Sequence, residues 1–125
     1  IVYFDKRILG KPTDEISAKK MLEMLSGKVH EVYTGVCVTD SVSGKSISDY
    51  EVTKVKFKNL TQEEIDRYIK TGEPMDKAGS YGIQEWIGYI GVTSLSGSYF
   101  NVMGFPVQRI YEVLRLFGVS MYKKA

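Results

Sequence analysis

The chain has 125 residues, 43% of them apolar and 26% charged, and its 17 basic and 15 acidic side chains leave a formal charge of +2. That length supports one hydrophobic core without metal or disulfide staples, and that charge is too small and too mixed for a nucleic-acid funnel or a polybasic membrane patch. Cys37 is alone and no apolar run reaches the roughly 18 residues of a membrane span, so no disulfide, no membrane partner and a cytoplasmic setting are expected.

Ile1 to Phe4 predict a short strand, Asp5-Lys6-Arg7 a turn, and Ile8-Leu9 a returning strand before Gly10-Lys11-Pro12 breaks the pattern. A helix then starts with Thr13 as its cap, with Asp14 and Glu15 at the positive end of its dipole. Ile16, Met21, Leu22 and Leu25 form its apolar side, and Gly27 stops it.

Val29 to Thr39 is rich in β-branched residues, with His30, Val32, Thr34, Val36 and Val38 on one face. The polar stretch Ser41 to Ser48 turns the chain, and Tyr50 to Phe57 returns as an antiparallel strand with Lys54, Lys56 and Lys58 toward solvent. Thr61-Gln62-Glu63-Glu64 has the spacing of a capping box, and Ile65, Tyr68 and Ile69 give the helix that follows an apolar stripe up to Gly72. Glu73 to Gln84 reads as a loop. Trp86 to Leu95 and Tyr99 to Met103 read as two paired strands joined at Ser96-Gly97-Ser98, and a last helix carries Val107, Ile110, Tyr111, Leu114 and Phe117 behind Pro106. Lys123-Lys124 reads as a frayed basic tail.

Side-chain chemistry narrows the function. One histidine and one cysteine cannot build a zinc site, and no nucleophile elbow or Walker-type loop is present. His30, on a strand face with valines, reads as a structural histidine, and Cys37 as a small core residue. The loop from Gly72 to Gln84 differs in kind. Its glycines let backbone N–H groups approach an anion, Lys77 offers a mobile positive charge, and the Gln84 amide can read the donor and acceptor edge of a base. A tight turn with solvated charges has the same composition, so these residues alone leave both readings open. Lys11, between a strand end and a helix start, has the same two readings: a phosphate contact or a solvated side chain.

Four ordered stretches then form a recognisable set: Ile8-Leu9-Gly10-Lys11-Pro12, the run from Leu25 to Val36, the run from Gly72 to Gln84, and Gly97 to Pro106. Together they resemble the Maf family of nucleoside triphosphate pyrophosphatases, and Asp76-Lys77-Ala78-Gly79-x-Tyr81-Gly82-Ile83-Gln84 is similar to the branch acting on dTTP and UTP. The resemblance implies an α/β fold, a mixed twisted sheet with flanking helices in the inosine-triphosphatase-like architecture, with a nucleotide cleft between two lobes. It implies hydrolysis between the α- and β-phosphates with a divalent metal, magnesium or manganese. Lys11 matches the family lysine that contacts the triphosphate, Gln84 the glutamine tied to pyrimidine specificity, and Asp76 and Lys77 lie in the matching pocket motif.

The family's Ser-x-Ser-Pro-Arg-Arg phosphate loop, the acidic residue after it and the Ala-Asp-Thr motif with the catalytic aspartate do not occur in this sequence; the last would fall immediately before Ile1. No visible acid is assigned that catalytic role. Residues 1–125 are therefore expected to be the C-terminal two-thirds of a single Maf-like domain, a fragment of an active enzyme, with an inactive nucleotide-binding or regulatory piece as the alternative. Dimers are common among soluble enzymes, so a homodimer is one assembly open to it. Glu85-Trp86 stands where many members carry smaller residues, which bears on the pocket rim.

Overall fold

The computed structural model describes residues 1–118. Strands β1 (Val2–Phe4) and β2 (Arg7–Leu9) form a hairpin whose two-residue turn, Asp5-Lys6, has positive φ at both positions. Such a turn matches the right-handed twist of its strands. Helix α1 (Glu15–Leu25) follows, then β3 (Val29–Thr39), β4 (Ser46–Phe57) and helix α2 (Gln62–Lys70). Two short 3-10 turns, Glu73–Asp76 and Ala78–Ser80, lead into α3 (Trp86–Gly91), β5 (Val92–Ser96), α4 (Tyr99–Met103) and α5 (Val107–Leu116). The tail at Lys123-Lys124 lies outside the described residues.

The five strands form one sheet in the order β2-β1-β3-β4-β5, and every ladder among the described residues is antiparallel. The β3–β4 ladder is longest because two β-branched strands meet across a turn at Gly44 and run in register from Thr39↔Ser46 to Val29↔Lys56. One face of this ladder carries His30, Val32, Thr53, Val55 and Phe57, all buried. Leu22 and Leu25 of α1 and Ile65 and Tyr68 of α2 join them in the core. The α/β class implied by the sequence stands, as one sheet flanked by helices, with antiparallel pairing throughout the described residues where a mixed sheet is expected. No helix among the described residues is long and apolar enough to cross a membrane.

Local chemistry explains where the predicted elements hold. Thr61 and Glu64 cap α2 reciprocally: the Glu64 N–H donates to Thr61 Oγ1 at 3.1 Å and the Thr61 N–H donates to Glu64 Oε1 at 2.9 Å. Glu64 also pairs with Lys58 at 2.7 Å, so Lys58 is half-buried while Lys54 and Lys56 face solvent.

Elsewhere the structure corrects the expectations. The cap of α1 is Asp14 rather than Thr13, with Ser17 completing the box. Ile16 is 68% exposed, because the buried stripe is Ala18, Leu22 and Leu25 and residue 16 lies roughly opposite Ala18 at 3.6 residues per turn. Cys37 is exposed, not a core residue, since it points away from the His30 face. Along α5 only Val113 is fully buried, and Val107 is exposed.

The largest difference is the stretch from Trp86 to Met103. Trp86 to Gly91 is helical because Ile87, Gly88 and Gly91 share an inward face. A Cβ at Gly88 would overlap the Ile83 carbonyl, and one at Gly91 would lie 2.9 Å from the Phe57 ring, so both glycines permit close approach. Val92 to Ser96 is a strand paired with β4, not with a following strand. Tyr99 to Met103 is a helix capped by Ser98, whose Oγ accepts from the Asn101 N–H at 3.2 Å, and closed by Gly104 at φ 110°.

Candidate functional site

A cavity of about 510 Å³ opens where β1, β3, the 77–85 loop and α4 meet. Val2, Val32, Ile83 and Val102 give it apolar surface, and Lys77, Gln84, Glu85 and Asn101 bring polar groups. That size and mixture are those of a small-molecule site.

Of the residues singled out from the sequence, Lys77 and Gln84 line this cavity. Asp76 and Lys11 do not. Asp76 is exposed at the edge, where its carboxylate accepts from Lys77 Nζ at 3.2 Å, and this bond holds its acid below the usual carboxylate range. Lys11 is exposed on the neighbouring loop, and its charge also favours ionised Asp76. The two loops are stitched together where the Gly79 N–H donates to the Gly10 carbonyl at 3.1 Å. Gly79, at φ 72°, brings the loop against Val2 of β1.

Behind Lys77 stands Glu85. Its Oε1 forms an ion pair with Lys77, and its Oε2 accepts from the Tyr68 hydroxyl at 2.6 Å. Burial works against its charge, but the bonds from Lys77 and Tyr68 keep Glu85 ionised below the ordinary range, and the same ion pair raises Lys77. The adjacent carboxylate of Glu73 is raised chiefly by its hydrogen bond with Glu85. Burial, and then the Glu85 carboxylate, pushes the Tyr68 phenol up.

Two buried polar clusters anchor the walls of the cavity. His30 and Tyr81 share a 2.6 Å hydrogen bond between Nε2 and the phenol oxygen, with Phe57 stacked on the imidazole. Burial lowers His30 to about 4, so the ring is neutral at pH 7. Asn101 donates from Nδ2 to the Val32 carbonyl and to Thr53 Oγ1, each at 3.0 Å, which fixes α4 on β3 and β4.

The family model for Maf-like proteins matches residues 1–117. The chain belongs to the Maf-like family. It is 58% identical over 115 residues to a dTTP/UTP pyrophosphatase of Phocaeicola vulgatus, covering 92% of this chain and 58% of the relative. It is 50% identical over 121 residues to a dTTP/UTP pyrophosphatase of Clostridium tetani, covering 97% of this chain and 62% of the relative. A dTTP/UTP pyrophosphatase of Bacillus cereus gives the same figures as the clostridial one. This Maf-like chain thus spans about three-fifths of the length of the curated relatives it matches.

The divalent cation implied by the resemblance does not find a ligand set in these residues. Among the described residues no group of three or more His, Cys, Asp or Glu side chains is placed to hold a metal ion, and Asp76 and Glu85 are both engaged by Lys77.

Tyr81, Glu85 and Asn101 line the cavity without a site role in the sequence analysis. Tyr81 and Asn101 lie inside the quoted motifs, but their buried partners His30, Val32 and Thr53 are distant in sequence. Glu85 carried a signal as a departure from smaller residues.

Proposed function

We propose that this Maf-like chain is the nucleotide-gripping part of a nucleoside triphosphate pyrophosphatase acting on dTTP and UTP, giving the monophosphate and pyrophosphate. The observation that carries the reading is the meeting of Lys77 and Gln84 on one cavity. A pyrimidine presents an edge of alternating donors and acceptors, and an amide, which both donates and accepts, can match it. A triphosphate carries several negative charges, and the leaving pyrophosphate gains more as the bond to the α-phosphorus breaks, so a fixed cation is worth most there.

In this reading Gln84 takes the base, Val32, Ile83 and Val102 take its apolar surface, and Lys77 takes the phosphates. Lys11 supplies a second cation from the adjoining loop, with Asp76 setting the charge balance at the entrance. The relatives' names support the substrate class. Ile1 lines the cavity, so in a longer protein with Ala-Asp-Thr before it the aspartate would stand at the cavity wall, placed to activate the attacking water.

The test is pyrophosphate release from dTTP, UTP, ATP and GTP, with and without magnesium or manganese, by the protein carrying its encoded upstream residues. Calorimetry of the same nucleotides on that form and on residues 1–125 accompanies it. Pyrimidine-selective turnover supports the reading, and an absence of nucleotide binding in both forms overturns it. One observation favours a second reading for this chain by itself: Glu85, among the described residues the one acid lining the cavity, is engaged by Lys77 and Tyr68. Selective binding without turnover in both forms would make the chain a nucleotide-binding module.

A further inference from the structure

The cavity lysine is the last member of a chain that starts in the core. Tyr68 on α2 is fully buried, and its hydroxyl donates to Glu85 Oε2 at 2.6 Å. The other oxygen of that carboxylate holds Lys77 Nζ. The Glu85 side chain is only 14% exposed, so its position is set by these two partners rather than by water. Gly82 makes room for the arrangement: a Cβ there would lie 2.5 Å from Glu85 Oε1 and 2.9 Å from Lys77 Cε.

Lysine is a flexible stem with a compact charge, and a free one spreads its ammonium over many positions. The groups facing this ammonium differ in what they can fix. Asp76 Oδ1 lies at 3.2 Å, but its side chain is 78% exposed and itself free to swing. The Glu73 carbonyl, at 3.5 Å, is at the limit of a hydrogen bond. Lys11 bears on this cluster only through its charge, which favours ionised Asp76. Glu85 alone of these has a buried anchor of its own.

We infer that Tyr68 and Glu85 are positioning residues for Lys77, holding its ammonium at the cavity wall where the phosphates of the substrate meet it. The inference rests on the reading proposed above, in which the cavity takes a nucleoside triphosphate. Glu85 stands directly after the base-reading Gln84, so one turn of chain places both the amide and the counter-ion of the cation. Neither residue touches substrate in this role.

The experiment is calorimetric titration of residues 1–125 with α,β-imido-dUTP, which resists cleavage at the relevant bond. Tyr68→Phe is the main variant because it removes the anchor and leaves every charge in place. Binding is expected to weaken about fivefold in Tyr68→Phe, yet by less than about 1.5-fold when the same change is made in a Lys77→Ala background, since both act through one group. Glu85→Asp keeps the charge but shortens its reach, and the same pattern is expected of it should Tyr68→Phe fail to fold. A loss of equal size in both backgrounds marks a structural role and overturns the inference, as does no loss in either. If Lys77→Ala by itself leaves affinity unchanged, the phosphate reading of the cavity fails first, which separates that failure from this one.

Discussion

Acidification should destabilise this protein in part through one imidazole. His30 is 1% exposed, stacked on Phe57, and its single hydrogen bond goes to the Tyr81 phenol at 2.6 Å. Its other ring nitrogen is buried without a partner among the described residues. A second proton would put a charge on a ring shut away from solvent, and burial accordingly lowers its pKa from 6.5 to about 4. The folded state therefore holds the neutral ring, while the unfolded chain takes up a proton near the ordinary value. The contribution to stability is complete above about pH 6.5 and is lost as the pH falls toward about 4, at about 1.4 kcal/mol per pH unit, or about 3 kcal/mol in all.

Carboxylates such as Asp40, Glu64 and Asp76, held below their usual range, also lose stability in acid, so the measurement is a difference. Urea denaturation at pH 7, 6, 5 and 4 is compared for the wild type and His30→Gln, which retains a hydrogen-bonding group for Tyr81 but cannot titrate. The variant is expected to be less stable at pH 7 and to show a shallower acid slope, with the two curves converging near pH 4. Parallel curves would refute the reasoning, because they would mean that the ring titrates alike folded and unfolded.

Three other substitutions probe the site and its supports. Gln84→Ala should change stability by less than about 0.5 kcal/mol, as an exposed loop side chain, while lowering the preference for pyrimidine over purine triphosphates in competition binding; equal losses for every base would deny it the recognition role. Asn101→Asp replaces the donor 3.0 Å from the Val32 carbonyl with an acceptor, and should cost about 3 kcal/mol or more at neutral pH in thermal or urea denaturation. Thr61→Ala removes the oxygen that accepts from the Glu64 N–H, and should cost about 1 kcal/mol by the same measurement while leaving nucleotide affinity unchanged.

Much of the architecture was legible because its signals are local. The reciprocal cap at Thr61 and Glu64 is a four-residue pattern, and the β-branched runs of β3 and β4 alternate cleanly enough to give both the pairing and the buried face. Trp86 to Met103 was misread because its apolar residues suit a strand locally, whereas its helices depend on what they pack against. Gly88 closes on Ile83 and Gly91 on Phe57, contacts that no short window contains. Lys77 and Gln84 were legible as charge and amide in a glycine-rich loop. The anchors behind them were not: the Tyr68 to Glu85 bond spans 17 residues and the His30 to Tyr81 bond spans 51. Whether a carboxylate points at a lysine or at water is decided by the folded chain.

The amide and the ammonium of the cavity sit within one unbroken stretch, Lys77 to Gln84, tied to the rest of the protein at Gly79 by its bond to Gly10 and its seat on Val2. Under the proposed reading, a graft of this stretch between two such proteins would carry base preference and the Lys77 share of phosphate affinity together, with the five strands beneath left as they are. On that reading, discrimination would drift by small changes in one loop, without the core having to be repacked each time.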